Sequence, residues 1–325
     1  MSSLNVLVYS AFEYTAFLYE GSEQARRLEY AFPDIRFVYR NRETVTLEDA
    51  KRADVIVGHP TPEMLKAAEN LKWLHVNSAG VNGYEKRELY PNEYMIVTRA
   101  ADTFGISMAE HTVGMMISLS RNFRLLDRQQ RGHVWRTYRA DCELYGSTVL
   151  MLGAGNLANE IAKRLEGFGV KRIAVKRDPA QRPEWCEAVY GREQLREALA
   201  QADYVINSLP LTDETRHILD AAAFDAMKPN AILINIGRGG TVDTDALAAA
   251  LDEGKLHAAG LDVTDPEPLP EDSPLWDMEN VIISPHSSAL SGEENRRRTD
   301  TVIKLMRQYI MGEDLDYEVD FEKGY

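Results

Sequence analysis

One short stretch restricts the fold of this chain more than any other, because an apolar strand runs directly into a loop of small residues. Thr148–Leu152 is typical of a buried strand, and the loop Gly153–Ala158 that follows has the pattern Gly-x-Gly-x-x-Ala. A helix is predicted from Asn159 to Phe168. Strand, glycine loop and helix in this order are the context in which the motif predicts a dinucleotide-binding turn.

Each small residue of this loop has a physical role. Gly153 permits the tight turn, and Gly155 lets the backbone approach a pyrophosphate. Ala158 still allows the helix to pack closely on the strand. The N–H groups of Asn156 and Leu157 would face the phosphates at the positive end of the helix.

The end of the next strand, Lys171–Lys176, bears on which dinucleotide is bound. In this fold an acidic residue at that position binds the ribose 2′-hydroxyl of NAD. Here Lys176 and Arg177 stand at the strand end, and two cations suit the 2′-phosphate of NADP(H). Asp178 lies slightly beyond the predicted strand end. If the strand ended two residues later, Asp178 would stand at the position that binds the ribose 2′-hydroxyl, and the site would suit NAD(H). We expect NADP(H) to be preferred and NAD(H) to be possible, the alternative being that both cations are solvated surface charges.

Strand and helix alternate along most of the chain, which is typical of a parallel sheet. Strands are predicted at Asn5–Tyr9, Ile35–Tyr39, Asp54–Gly58, Trp73–Asn77, Thr148–Leu152, Lys171–Lys176, Tyr204–Ser208, Ala231–Ile236, Ala258–Val263 and Val281–Ser284. Further helices are predicted at Pro62–Glu69 with Thr61 as N-cap, and around Leu195–Ala200, Ala221–Met227, Asp245–Asp252 and Ser291–Met311. The Ala/Phe/Glu/Tyr stretch after the first strand could also turn into a helix.

The length of 325 residues suits two domains. We expect the last helix to cross back and complete the first domain, which would then be discontinuous. The predicted fold class is α/β, with a Rossmann-type doubly wound dinucleotide-binding domain over residues 103–289. This domain would be inserted in a smaller flavodoxin-like α/β substrate domain formed by residues 1–102 and 290–325. A long helical segment from about Gly105 to Arg131 is apolar over much of its circumference, so it should be buried in the core or at a subunit interface.

Composition and charge exclude several classes of partner. A formal net charge of -14 argues against nucleic acid or an anionic membrane as the main partner, because both require basic patches. Cys142 and Cys186 are too few and too far apart for a disulfide framework or a zinc site, so no metal is expected. The sequence shows neither a secretory signal nor an apolar run that could span a membrane, and a cytoplasmic setting is expected.

Three polar side chains are predicted to follow strands of the second domain. Arg238 stands between glycines, Glu267 between two prolines, and His286 directly after a strand. The carboxyl ends of strands face the ligand crevice in an open α/β sheet. Taken singly, each has an ordinary alternative: an arginine closing a surface turn, a solvated glutamate, and a histidine of the surface or core. Their shared position beyond a dinucleotide loop predicts one site.

These side chains suit the reduction of a 2-oxo acid. Arg238 would clamp the substrate carboxylate and polarise the adjacent carbonyl, because a guanidinium donates two parallel hydrogen bonds. His286 would donate a proton, and Glu267 would hold its tautomer. A hydride from the nicotinamide would complete the conversion to a 2-hydroxy acid.

The chain resembles the D-isomer-specific 2-hydroxyacid dehydrogenases along nearly its whole length. The segments that carry the resemblance are Asn77–Gly80, Ala109–His111, Gly153–Ala158, Ser208–Thr215, Asn235–Gly240, Ala259–Val263, Glu267–Leu269 and Ser284–His286. Ala158 replaces the usual third glycine of the family, and Lys176 with Arg177 replaces the usual acidic end of the second strand. The pairing of Glu267 with His286 speaks against chemistry like that of formate dehydrogenase, in which no proton reaches the substrate.

The resemblance implies roles for particular residues. Arg238, Glu267 and His286 would form the catalytic trio, and the substrate would be bound by Ser78, Ala79, Gly80, Arg238 and His286. The cofactor would be bound by Gly153, Gly155, Asn156, Leu157, Lys176, Arg177, Ser208, Pro210, Thr215, Ile236, Arg238, Asp262, His286 and Ser288. Asp262 would hold the nicotinamide carboxamide. The family also implies a homodimer through residues of about 104–144. Within this segment, Trp135 and Tyr138 could shape the pocket of the neighbouring subunit, although Trp135 is expected to pack in the core.

Two functions from different classes follow. The first is a reductase of small 2-oxo acids such as glyoxylate, hydroxypyruvate or a branched 2-oxo acid. The alternative is a dinucleotide-sensing binding module, as the C-terminal binding protein corepressors resemble this family. The complete Arg/Glu/His set favours the enzyme. The other histidines, namely His59, His75, His111, His133, His217 and His257, are interpreted as structural or surface groups.

Overall fold

The computed structural model describes residues 4–11, 17–81, 83–140 and 142–322. Contacts between residues divide the chain into two units. Met1–Phe104 and Ser291–Tyr325 form the first unit, and Gly105–Leu290 forms the second. Within the described ranges, no helix is both long enough and apolar enough to cross a membrane.

A parallel sheet forms the centre of the first unit. Its strands are β1 (Asn5–Ser10), β2 (Arg36–Asn41), β3 (Val55–Gly58), β4 (Trp73–Val76) and β5 (Ile96–Arg99). The helices of this unit are α1 (Glu23–Ala31), α2 (Leu47–Arg52), α3 (Pro62–Ala67) and the last helix, α10 (Glu294–Met311), which packs against α1. The strand order β2-β1-β3-β4-β5 is that of flavodoxin-like sheets, so the expected fold class of this unit is confirmed.

The segment from β3 to β5 shows how the sequence sets local structure. Thr61 caps α3, because its hydroxyl accepts a hydrogen bond from the N–H of Met64 at 3.3 Å, as predicted. In the buried strand β4, the indole N–H of Trp73 and Nδ1 of His75 each lie 2.9 Å from the hydroxyl of Thr98 on β5. Burial lowers the pKa of His75 to about 3, so this ring is neutral and structural.

The second unit is a doubly wound sheet with helices on both faces. Its strands are β6 (Thr148–Leu152), β7 (Lys171–Val175), β8 (Ala188–Tyr190), β9 (Tyr204–Asn207), β10 (Ile232–Asn235), β11 (Ala258–Leu261) and β12 (Val281–Ile283). Its helices are α4 (Gly105–Ser120), α5 (Phe123–Arg131), α6 (Asn156–Leu165), α7 (Leu195–Leu199), α8 (Ala221–Ala226) and α9 (Thr244–Asp252). The strand order is β12-β11-β10-β9-β6-β7-β8 and every pairing is parallel, which confirms the predicted Rossmann-type topology.

Alternate residues of the central strands face opposite helix layers. Leu150 and Leu233 pack in a cluster with residues of α7, α8 and α9, whereas Met151 and Ile234 pack with residues of α4 and α6. Because all the strands are parallel, their carboxyl ends lie at one edge of the sheet.

The prediction of one long helix from Gly105 to Arg131 is wrong, because the structure divides the segment into α4 and α5. Asn122 adopts a left-handed backbone with φ of 47°, and its side chain accepts a hydrogen bond from the N–H of Leu125 at 3.2 Å. This cap starts a new helix. The core prediction for Trp135 is also wrong, since its side chain is fully exposed.

Several short elements are absent from the sequence prediction, namely α1, α2, β5 and β8. Five of the predicted strands and helices differ from the structure at an end by two or more residues: β2 ends at Asn41, α3 ends at Ala67, α6 begins at Asn156 and ends at Leu165, β11 ends at Leu261, and α10 begins at Glu294. Most of the Ala/Phe/Glu/Tyr stretch after β1 lies outside the described residues.

Candidate active site

The glycine loop after β6 leaves the amino end of α6 open. Gly153 has a φ of 93°, and its N–H donates to the carbonyl oxygen of Val175 on β7 at 2.9 Å. Gly155 is the N-cap of α6 without a side-chain cap, and a Cβ at this position would meet no atom within 4 Å. Ala158 is buried against the sheet. The exposed backbone at the positive helix end fits the pyrophosphate of a dinucleotide.

The loop after β7 contains both candidate cations of the coenzyme site. The ammonium of Lys176 donates to the carbonyl oxygen of Gln181 at 3.0 Å, so this side chain spans the loop. Arg177 is exposed. The carboxylate of Asp178 accepts a hydrogen bond from the N–H of Ala180 at 3.1 Å, which commits one of its oxygens to a local turn.

The loop after β9 packs closely against the loops on both sides. The hydroxyl of Ser208 donates to the carbonyl oxygen of Leu152 at the end of β6, at 2.9 Å. Thr215 folds back and donates to the carbonyl oxygen of Pro210 at 2.6 Å. On the other side, a Cβ on Gly237 would lie 2.7 Å from the carbonyl oxygen of Leu209, so only glycine fits there.

Buried polar groups support the turn that carries Arg238. Ile236 is buried just before it. Asn207 donates to the side-chain oxygens of Asn235 at 3.0 Å and Thr241 at 2.6 Å, and the Thr241 hydroxyl donates to the carbonyl oxygen of Arg238 at 2.6 Å. Asn207 and Thr241 are supporting residues that were not predicted, although the polar residue at the end of each apolar strand was a visible signal for Asn207.

The turn that carries Arg238 lies beside the loop that follows β11. A Cβ on Gly239 would overlap the carbonyl group of Thr264, so the two loops meet backbone to backbone. Burial lowers the pKa of Arg238, and the nearby carboxylate of Glu267 opposes this shift. One nitrogen of the guanidinium donates to the carbonyl oxygen of Gly237 at 2.8 Å.

Glu267 and His286 are in direct contact. Oε1 of Glu267 lies 2.6 Å from Nδ1 of His286, and both side chains are about half exposed, at 43% and 49%. His286 has a left-handed backbone with φ of 51°. Its N–H donates to the carbonyl oxygen of Asp262 at 2.8 Å, which connects the loop after β12 to the end of β11.

Asp262 is buried and holds the loop that contains His286. Its Oδ1 accepts hydrogen bonds from the Ser284 hydroxyl at 2.6 Å and from the N–H groups of Ser287 and Ser288 at 2.9 and 3.1 Å. The N–H of Ser288 also lies 3.2 Å from Oδ2. The buried Ser288 hydroxyl has no hydrogen-bond partner among the described residues. An unpartnered buried hydroxyl beside a carboxylate fits an amide ligand such as a nicotinamide carboxamide.

The remaining predicted residues, Ser78, Ala79 and Gly80, follow β4 in the first unit. The Ser78 hydroxyl donates to the carbonyl oxygen of Gly80 at 2.6 Å, and Nε2 of His59 lies 3.2 Å from the same hydroxyl. Arg99 donates to the carbonyl oxygen of Ala79 at 3.1 Å. These bonds shape the loop after β4 at the carboxyl edge of the first sheet.

Comparison with known proteins identifies the family. The model of the D-isomer specific 2-hydroxyacid dehydrogenase NAD binding domain matches residues 113–288. The chain belongs to this family. The matched segment of this D-2-hydroxyacid dehydrogenase family member contains the loops after β6 to β11 and reaches Ser288, so the family resemblance drawn from the sequence is confirmed.

Relatives and solved structures agree with the family. The D-3-phosphoglycerate dehydrogenase of Methanocaldococcus jannaschii is 34% identical over 274 residues, which is 82% of this chain but only 52% of that enzyme. The D-isomer specific 2-hydroxyacid dehydrogenase of Xanthobacter autotrophicus Py2, in complex with NADPH and MES, is 28% identical with a TM-score of 0.86, covering 100% of both chains. The NADPH-dependent glyoxylate/hydroxypyruvate reductase of Sinorhizobium meliloti, in complex with NADP and sulfate, is 27% identical with a TM-score of 0.82, covering 99% of this chain and 100% of that one.

Gly155→Ser tests the open helix end in this D-2-hydroxyacid dehydrogenase family member. Serine is at least as good an N-cap as glycine, so the thermal unfolding midpoint should not fall. Its side chain would stand where a pyrophosphate approaches, so the dissociation constant of NADPH should rise at least about tenfold, or 1.4 kcal/mol. Gly167→Ser, at an exposed and equally open position just after α6, is the matched control and should bind NADPH as the wild type does. Unchanged binding by Gly155→Ser would contradict the assignment.

Proposed function

We propose that the protein reduces small 2-oxo acids to D-2-hydroxy acids with NAD(P)H and also catalyses the reverse reaction. The observation that carries this proposal is the 2.6 Å contact between Glu267 and His286, in a loop whose backbone touches the turn of Arg238. All three residues follow strand ends of the sheet that also presents the glycine loop. The reductase named among the solved structures, from Sinorhizobium meliloti, supports glyoxylate or hydroxypyruvate as the substrate class.

The contact with Glu267 supports one ring nitrogen of His286 as the proton donor. A carboxylate accepts hydrogen bonds, so Nδ1 of His286 carries the hydrogen that is donated to Oε1 of Glu267. The other nitrogen, Nε2, is then the atom that exchanges a proton with the substrate oxygen. Glu267 holds the ring in this orientation while the proton is transferred.

Arg238 would bind the substrate carboxylate and the carbonyl oxygen next to it. A guanidinium removed from water interacts more strongly with an oxyanion than an exposed one does, because the effective dielectric is lower. Ser78, Ala79 and Gly80 would contribute to binding the same carboxylate, in the role that the family implies. The proton that His286 releases then completes the hydroxyl group as the carbonyl carbon gains a hydride.

The residues at the carboxyl edge would hold the dinucleotide. Gly153, Gly155, Asn156 and Leu157 would contact the pyrophosphate. Bound NAD(P)H supplies the hydride. The remaining parts of the dinucleotide would be contacted by Ser208, Pro210, Thr215, Ile236, Asp262 and Ser288. Asp262 and Ser288 would orient the carboxamide, since among the described residues Oδ2 of Asp262 accepts only the 3.2 Å bond from the N–H of Ser288.

We infer that NADP(H) is the preferred coenzyme. Lys176 and Arg177 place two cations directly after β7, where a 2′-phosphate would lie. Asp178 stands one residue further and uses one oxygen for the N–H of Ala180, which supports its exclusion from the ribose. The similar structures from Xanthobacter autotrophicus Py2 and Sinorhizobium meliloti contain NADPH and NADP, which supports the same preference. A D-lactate dehydrogenase structure of Aquifex aeolicus, at 25% identity, contains NAD.

We also infer a homodimer through residues of about 104–144. Phe123, Leu126 and Trp135 expose large apolar surfaces on α5 and the segment after it, and a second copy would cover them. Light scattering should then give a mass of twice 36.7 kDa. A monomeric mass at micromolar concentration would contradict the inference.

Coupled kinetics with both coenzymes test the proposed reaction. We expect steady NADPH oxidation with glyoxylate, hydroxypyruvate or a branched 2-oxo acid, a product of D configuration, and a lower KM for NADPH than for NADH. Equal KM values would contradict the role of Lys176 and Arg177. Tight dinucleotide binding without turnover of any 2-oxo acid would contradict the enzyme and favour the corepressor-like binding module.

His286→Asn tests the proton donor. Asparagine tolerates a left-handed backbone and can still donate to Glu267, but it lacks the second ring nitrogen. Turnover should fall by roughly 100-fold or more, the usual contribution of a general acid, while NADPH affinity stays nearly unchanged. The matched control is His217→Asn, at another exposed histidine with a left-handed backbone, φ 48°, and it should remain active. Full activity of His286→Asn would show that another group donates the proton.

A further inference from the structure

The loop that presents His286 depends on its neighbours for its conformation. A left-handed backbone at a residue with a side chain costs roughly 1–2 kcal/mol, so it persists only where surrounding contacts hold it. The contacts here are the hydrogen bonds from the N–H of His286 to the carbonyl oxygens of Asp262 and Ser284, at 2.8 and 3.0 Å. The orientation of His286 therefore depends on where Asp262 and Ser284 lie.

Asp262 is fixed by donors on its carboxylate. It is only 2% exposed, and a buried carboxylate is stable only when hydrogen bonds replace its water. Two of its donors are the N–H groups of Ser287 and Ser288, from the loop itself. The shortest bond to Oδ1, at 2.6 Å, comes from the Ser284 hydroxyl. Ser284 is thus the side chain that joins the carboxylate to the end of β12.

His111 of α4 extends this chain of bonds by one residue. Its Nε2 lies 3.1 Å from the hydroxyl of Ser284. The single hydrogen of that hydroxyl is donated to Asp262, so the oxygen accepts from His111, whose Nε2 must carry a hydrogen. The backbone of α4 is held firmly, because Met115 and Met116 of the same helix are buried in the core. A rigid helix thereby defines the position of the Ser284 hydroxyl.

We propose that His111 is a positioning residue, which orients His286 through Ser284 and Asp262. This inference rests on the proposed function, since it assigns the His111–Ser284–Asp262 chain to the proton donor of that reaction. Without the donor at Nε2, the Ser284 hydroxyl loses its fixed direction and Asp262 loses its shortest hydrogen bond. The loop of residues 286–288 then relaxes, and Nε2 of His286 leaves the position from which it donates a proton.

Two substitutions of similar size separate the hydrogen bond from packing. His111→Gln retains an N–H donor at about the reach of Nε2, whereas His111→Leu fills the space without a donor. We expect kcat to fall about tenfold in His111→Leu, equivalent to 1.4 kcal/mol, and to stay within about twofold in His111→Gln. His257→Leu is the control, because His257 precedes β11 at the opposite edge of the sheet. Equal losses in the glutamine and leucine variants would overturn the proposal.

Ser284→Ala tests the same chain of hydrogen bonds without altering α4. It should lower kcat as His111→Leu does, and the double variant should be no slower than either single variant, because the two residues act through one chain. Independent, additive losses would overturn the proposal. If His111→Leu does not fold, the comparison of His111→Gln with Ser284→Ala still tests it.

Hydrogen–deuterium exchange gives a readout that needs no substrate. The amides of residues 286–288 should exchange about fivefold or more faster in His111→Leu than in the wild type, and at the wild-type rate in His111→Gln. If the amides exchange faster in His111→Leu but the wild type turns over no 2-oxo acid, the positioning chain is supported and the proposed reaction is contradicted. Turnover by the wild type with unchanged exchange and kcat in His111→Leu would overturn only the role of His111.

Discussion

The parallel pairing of the strands in the second unit is the constraint on which the candidate site depends. It brings the carboxyl ends of β6, β10, β11 and β12 to one edge, although the residues that follow them are far apart in the sequence. Alternating burial fixes the register, because a shift by one residue would turn each apolar side chain toward the wrong helix layer. The contact of Glu267 with His286 is therefore a consequence of sheet topology and core packing.

Glycines and buried polar side chains determine the local structure at this edge of the sheet. Gly237 and Gly239 let successive loops touch backbone to backbone, so the turn carrying Arg238 lies directly beside the loop carrying Glu267. Below these loops, Asn207 and Asp262 hold the neighbouring residues in place with several hydrogen bonds each. Buried polar networks of this kind specify one geometry, because any other arrangement would leave a buried donor or acceptor without a partner.

The sequence predicted the parts that depend on patterns over neighbouring residues. Apolar runs located the main strands, and the order of strand, glycine loop and helix at residues 148–165 predicted the Rossmann-type unit. Short edge strands such as β8 escaped prediction because they are only half buried and lack a clear apolar run. The break at Asn122 was missed because apolar residues continue past it, while a single side-chain cap decides the helix boundary.

Contacts between distant residues could not be predicted in the same way. The strand-end positions of Arg238, Glu267 and His286 indicated one site, since sheet topology relates them. Nothing in the sequence spacing indicated that Nε2 of His111 and the hydroxyl of Ser284 lie 3.1 Å apart, because this distance depends on how α4 packs across the sheet. His111 was accordingly interpreted as a structural group, and its contact with a loop residue could be found only in three dimensions.

The backbone contact at Gly239 and Thr264 has a practical consequence for engineering. Libraries that aim to widen the range of accepted molecules usually randomise every residue around a pocket. Here a randomised position 239 would yield mostly misfolded or inactive clones, because even one added carbon must push two chain segments apart. Mutational diversity is better directed to positions lined by flexible side chains, where new shapes can be accommodated without moving the main chain.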